Sequence, residues 1–303
     1  MEFLWIPVSI LAGLMQAVRT AAQKDLNARL STAVTTYVRA VFGMPVLLLY
    51  LWGIHEFAQQ PLSAPGTAFW LHCAGASLAQ VLGTVFLIQL FRLRNFAVGT
   101  TLIKTDVMMT AVIGSLFFSE AITPAGWLAV ALSVTGVILI TVVRTPSALL
   151  HGAAAGGGRM LAPTLTGLGS ALSFTFSYLF LREASLSLGA DDFLMRAGFT
   201  AVVVTALQLG FLGLWIRIRE PGGLRAMIRD WKLSSFIGVT SAIGSICWFT
   251  AMTLENASYV RAVGQVETIF TLLISHYYFR ERLWPAEFLG IAVIVAGVLV
   301  FVL

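Results

Sequence analysis

Charge is scarce in this chain. Lys, Arg, Asp and Glu together make up 11% of its 303 residues, against 58% hydrophobic, and mean hydropathy is +0.88. A water-soluble domain needs far more polar surface than that to cover itself, so an ordinary soluble fold is excluded. Cysteine is scarcer still. Cys73 and Cys247 are the only two, and both sit in apolar runs, which argues against a disulfide framework and against a metal site. There is no HExxH, no His-rich set and no Ser/His/Asp grouping, so nothing points to a membrane-embedded enzyme or a cofactor. No Walker motif is present either, which argues against direct coupling to ATP. The opening "MEFLWIPVSILAGLMQA" has no positive n-region and no small-residue cleavage signature; it is expected to be a first span rather than a signal peptide. The net charge of +5 fits cationic loops beside anionic lipid headgroups better than it fits nucleic acid.

Long apolar runs are what the chain has in quantity. Segments of the length needed to cross a bilayer recur ten times, near 4–23, 32–52, 67–91, 96–118, 123–143, 163–183, 192–216, 232–254, 258–279 and 284–303. Most joints are short. Thr123 followed by Pro124 reads as a helix start, and Pro285 does the same for the last span. The Gly-rich stretch 144–162 reads as a flexible linker, dividing the chain into halves 1–143 and 163–303 of five spans each.

The halves are related. A shift of 161 places Asn95, Phe118, Glu120, Pro124, Ala125, Leu128, Ala131, Val134 and Gly136 on identical residues from Asn256 to Gly297. Earlier in each half, a shift of 157 sets "RAVF" (Arg39 to Phe42) on "RAGF" (Arg196 to Phe199). An odd number of spans per half sends the second half into the membrane from the opposite side. The expected architecture is therefore all-α: ten transmembrane helices as two inverted five-helix repeats around a central cavity, with substrate near the midplane.

The ends of the halves, "FFSEAITPAGWLAVALSVTGVIL" and "YFRERLWPAEFLGIAVIVAGVLV", resemble the closing signature of EamA-type proteins of the drug/metabolite transporter superfamily. Lys24 with Arg39 fifteen residues later is similar to the family's first-half pattern. The resemblance implies ten helices and export or exchange of small metabolites by alternating access. There are two departures from it. The family often has Pro fourteen residues before the closing Glu, where this chain has Asp106 and Glu267; and the usual Trp-Gly of span one gives way to Gln16, Arg19 and Gln23.

Thirteen Lys and Arg residues, from Lys24 to Arg282, fall on one set of loops, and Arg182 alone on the other. Positive loops stay cytoplasmic, which puts both termini outside, whereas family analogy puts them inside. A bacterial inner membrane is the expected location, and the chain is expected to be a monomer or homodimer. The pairs Ala129–Ser133 and Ala292–Ala296 fit packing within the bundle or a dimer seam.

Asp106 and Glu267 are the ionisable residues that most need explaining. At about 1.5 Å per residue, each lies near the middle of a ~30 Å hydrocarbon core, and the 161 shift maps one onto the other. Charges at that depth are costly and mark function by default. Static ion pairs are one reading, Arg39 with Asp106 and Arg196 with Glu267. In the functional reading Asp106 or Glu267 carries a coupling proton, since apolar burial favours a neutral carboxyl. In a second version, Lys104, Arg261 and Arg19 meet an anionic group of the substrate and the acids orient them or bind an amino group; Gln265, Gln16 and Gln80 are further candidate substrate contacts. Trp248 and Tyr178 are candidates for stacking an aromatic ligand. The cargo expected is a small polar or amphipathic metabolite such as an amino acid, and the alternatives are a lipid-headgroup flippase or a non-transporting scaffold subunit. Glu120 and Glu281, at helix ends, are expected to be simply solvated.

Overall fold

The computed structural model describes residues 3–58, 65–90, 102–144, 161–189, 192–220, 222–277 and 285–301. Every described element is an α-helix. In chain order they are α1 (Trp5–Asn27), α2 (Thr32–Ala58), α3 (Thr67–Leu90), α4 (Asp106–Phe117), α5 (Pro124–Arg144), α6 (Leu161–Leu186), α7 (Phe193–Arg219), α8 (Gly223–Arg229), α9 (Trp231–Leu254), α10 (Ala257–Gly264), α11 (Glu267–Tyr277) and α12 (Pro285–Leu299). Seven of them are long and apolar enough to cross a membrane. Residues 145–160 of the linker 144–162 lie outside the described residues, as does Glu281.

Local chemistry explains the helix starts. Thr123 Oγ1 accepts from Gly126 N at 3.0 Å, capping α5 as its Thr-Pro start predicts. Asp192 does the same for α7, accepting from Leu194 N at 2.8 Å. The distribution of polarity is that of a protein in lipid. Leu49, Leu71, Leu116, Leu214 and Phe288 face outward, while Arg19, Arg39, Asp106, Arg261 and Glu267 are buried.

Helix pairing follows a two-fold pattern. α3 packs along α6 and α1 along α9; α4 lies on α6 and α11 on α1; α2 meets α7 and α5 meets α12. Each pairing is the image of another, or of itself, under exchange of the halves. The α5–α12 crossing shows this at atomic detail. A Cβ on Gly136 would sit 2.7 Å from Gly290 O and from Ile294 Cγ1; one on Gly297 would sit 3.0 Å from Ala129 O and 2.8 Å from Ser133 Oγ. These partners are equivalent under the 161 shift. Ala129 and Ser133 are thus packed inside the bundle, whereas Ala292 and Ala296 face outward.

Two expectations need correction. The ninth span is two helices, α10 and α11, separated at Gln265 and Val266. Glu120 is not solvated: it is 4% exposed and accepts from Ala257 N at 2.8 Å, Ser258 N at 3.3 Å and Ser258 Oγ at 2.6 Å. It closes the start of α10, where free backbone N–H groups and the helix dipole favour an anion. Arg182 Nε lies 3.5 Å from it and the Arg182 guanidinium also donates to Met252 O and Glu255 O, each at 2.8 Å. Ser119, with φ of 54°, makes the sharp exit from α4 that turns Glu120 inward. The network ties the α4–α5 loop of the first half to the α9–α10 joint of the second. On the opposite face, Arg29 meets Asp230 at 3.3 Å and Ser31 donates to Glu220, joining the α1–α2 loop to the ends of α7 and α8.

Candidate functional site

The equivalent spans of the two repeats are interrupted at the same place. Before α4, Thr105 N bonds Leu102 O at 3.1 Å, an i→i−3 link, and Thr105 has φ −71° and ψ −9°. Before α11, Gln265 N bonds Ala262 O at 3.2 Å and Val266 N bonds Val263 O at 3.1 Å, with Gln265 at φ −63° and ψ −14°. Such tightened turns inside a helix often mark functional hinges. Each break leaves a carboxylate in the first turn of the half-helix that follows, Asp106 on α4 and Glu267 on α11. Neighbours press on the second break. The Trp248 ring lies where a Cβ on Gly264 would be, and a Cβ on Gly13 of α1 would come within 3.2 Å of Glu267 N.

The acids pair across the halves, and not as expected. Asp106 Oδ2 accepts from Arg261 Nη2 at 2.6 Å, with the two side chains 1% and 3% exposed. Glu267 Oε2 lies 3.5 Å from Lys104 Nζ and accepts from Gln16 Nε2 at 2.8 Å. The lysine is the more open partner, 23% exposed. Arg39 instead donates to Gln208 Oε1 at 2.8 Å. Arg196 makes no ion pair among the described residues, and its Nε is sealed without a partner. The expected structural pairs Arg39–Asp106 and Arg196–Glu267 are therefore absent there. The acids are taken by cations from the opposite repeat.

Tyr178 and Trp248 bracket a protein cation. The Arg261 guanidinium carbon sits 4.6 Å from the Tyr178 ring centroid and 4.9 Å from that of Trp248, a cation–π sandwich. Trp248 Nε1 donates to Gln16 Oε1 at 3.0 Å, so one network runs Lys104, Glu267, Gln16, Trp248, Arg261, Asp106. Its hydrogen bonding is incomplete. Asp106 Oδ1, Arg261 Nε and Nη1, both amide atoms of Gln265 and Arg19 Nε are buried with no partner among the described residues.

Beside this network lies a cavity of about 20 Å³ lined by Gln16, Arg19, Arg39, Gln80, Tyr178, Ser245 and Trp248 among others. That is room for about one water, so the described helices leave little open space here. A second small cavity adjoins it at Arg39, Gln80, Gln208 and Ser241. Gln89 is exposed and takes no part.

A model of the EamA-like transporter family matches residues 3–142 and again 162–303. The chain belongs to the EamA-like transporter family. It is an integral membrane protein of the drug/metabolite transporter type, as its closing motifs imply. A search of curated proteins found no match. A solved structure titled "Crystal structure of protein" shares the fold, with TM-score 0.66 and 16% identity over 99% of this chain and 96% of that one. In this EamA-like transporter the sequence found Lys104, Arg261, Asp106, Glu267, Gln16, Gln80, Trp248, Tyr178 and Arg19 as polar or aromatic residues at depth, and the structure groups them. It missed Gln208, and it placed Glu120 at a solvated helix end. A lone amide in the apolar run "TALQLGF" was the available signal for Gln208, since polar groups in a span seek partners there.

Proposed function

We propose that the chain is a secondary active transporter, an exporter or exchanger, of a small polar or amphipathic metabolite such as an amino acid, working by alternating access. One observation carries the reading: two carboxylates, each at a helix break and each paired with a cation of the opposite repeat. Rocking one repeat against the other must open or exchange these pairs. Discontinuous helices at a repeat interface are also where transporters bind cargo. In this reading Asp106 and Glu267 exchange their cations for a proton or an amino group, while Lys104, Arg261, Gln265 and Arg19 contact the cargo. The small cavity and paired acids also fit a packed scaffold subunit. The unpartnered atoms of Asp106, Arg261 and Gln265 weigh against that, because a purely structural site gains nothing from leaving polar groups unmet. The proposed location is a bacterial inner membrane with the linker 144–162 on the positive, cytoplasmic face and both termini outside.

The test is metabolite flux in proteoliposomes with and without a pH gradient. A gradient-stimulated flux that Asp106→Asn or Glu267→Gln abolishes supports proton coupling. Flux in both variants equal to wild type refutes that role, and no flux for any metabolite class moves the reading to a scaffold.

A further inference from the structure

The centre of the bundle holds more positive than negative charge. Among the described residues, Arg19, Arg39, Lys104 and Arg261 surround it, against the carboxylates of Asp106 and Glu267 alone. Both acids are taken, one by Arg261 and one by Lys104 and Gln16. Arg19 and Arg39, 8% and 6% exposed, form no direct ion pair among the described residues; Glu267 attracts Arg19 only from beyond contact distance. Among the described residues, Arg39 bonds a neutral amide, Gln208 Oε1, while Arg19 has a buried Nε without an acceptor. Both guanidiniums line the cavity beside Trp248. Guanidinium does not deprotonate in proteins, so this excess cannot be removed by losing a proton. Burying unpaired charge is expensive unless a counter-charge arrives.

We infer that Arg19 and Arg39 form the binding subsite for an anionic oxygen group, a carboxylate or phosphate, on the transported molecule. This rests on the transporter reading and narrows its cargo to organic anions. Planar guanidinium forks suit bidentate recognition of such groups. Gln80 belongs to the same wall. It accepts from Gln208 Nε2 at 2.6 Å, and Gln208 accepts from Arg39, so the amide chain sets the orientation of Arg39. The cavity admits about one water as it stands. An anion larger than a water therefore needs side chains that line the cavity, Gln16 and Trp248 among them, to move.

The chemistry has two sources, a water-soluble metabolite anion or an anionic lipid headgroup, and binding to the full chain in nanodiscs separates them. In phosphatidylcholine discs, thermal stabilisation is measured with succinate, inorganic phosphate, glucose and putrescine; a parallel series replaces part of the lipid with phosphatidylglycerol. Stabilisation by succinate or phosphate, with affinity at least tenfold weaker in Arg19→Gln and Arg39→Gln, supports the subsite with a soluble cargo. Stabilisation by phosphatidylglycerol alone, lost in the same variants, supports it with a lipid cargo. Equal effects of glucose or putrescine, anion binding unchanged in both variants, or no stabilisation by any anion overturns it. Arg39→Lys keeps the charge without the fork and serves where the glutamine variants fail to fold; its affinity must fall too. Anion binding without flux refutes the transporter reading and leaves the subsite standing. Flux of a neutral metabolite untouched by both arginine variants does the reverse.

Discussion

Replacing Arg261 by glutamine removes one partner of the Asp106 pair and leaves a carboxylate 1% exposed. At 2.6 Å and an effective dielectric of about 20, the attraction is about 6 kcal/mol. Desolvation opposes it by several kcal/mol per ion, so the intact pair contributes little net stability. Breaking it from one side is a different matter. The survivor keeps its desolvation cost and loses its partner, which costs about 3–5 kcal/mol. Arg261→Gln also empties the space between Tyr178 and Trp248, with a further loss of up to about 2 kcal/mol. The test is a double-mutant cycle by equilibrium unfolding in mixed micelles. Arg261→Gln and Asp106→Asn alone should each cost about 3–5 kcal/mol or somewhat more, and the double variant should cost much less than their sum, with a coupling of at least about 2 kcal/mol. Single losses below about 1 kcal/mol, or strict additivity, would mean that water reaches the pair and that the centre is not dry.

Lys104→Gln should cost less in the same assay, about 1–3 kcal/mol, because Glu267 stays buried but Gln16 still bonds it; a loss as large as that of Arg261→Gln would contradict this. A Cβ on Gly114 would lie 2.8 Å from Glu120 Oε2, so Gly114→Ala should displace Glu120 and destabilise by about 1–3 kcal/mol, read by unfolding and by faster hydrogen exchange at Ala257 and Ser258. Gly136→Ala should be similarly costly, whereas Gly53→Ala, with nothing within 4 Å of its Cβ, should be neutral or slightly stabilising; equal effects would refute the close crossing of α5 and α12. A phosphatase fused after Leu303 should be active and a fluorescent protein there dark if both termini face outward, and the opposite result reverses the orientation.

Much of this was legible from pattern. Spans are written in hydropathy, and the duplication in identities such as Pro124 with Pro285, which helix chemistry preserves in both halves. The equivalence of Asp106 and Glu267 followed from the same shift. The helix breaks did not, because they are made by i→i−3 bonds at Thr105 and Gln265, residue types that sit equally well in a regular helix. Which cation meets which acid was also hidden. Arg261 and Asp106 are 155 residues apart, and no local spacing encodes a contact between helices that approach from opposite sides. Glu120 looked like a residue at a wet helix end, and only the packing of α10 against the α4–α5 loop brings its backbone N–H groups to it.

The crossed pairs also set a timetable for biogenesis. When Lys104 and Asp106 enter the bilayer, Arg261 has not been synthesised; it follows Asp106 by 155 residues. At about 5–20 residues per second, that is a wait of roughly 8 to 30 seconds. Throughout it, the first half carries charges that cost about 2.5–3.5 kcal/mol each at the centre of a helix. The fourth span is thus only loosely held in the membrane until the ninth arrives. The insertion machinery must shelter a half-protein whose ion pairs are completed by its own later sequence.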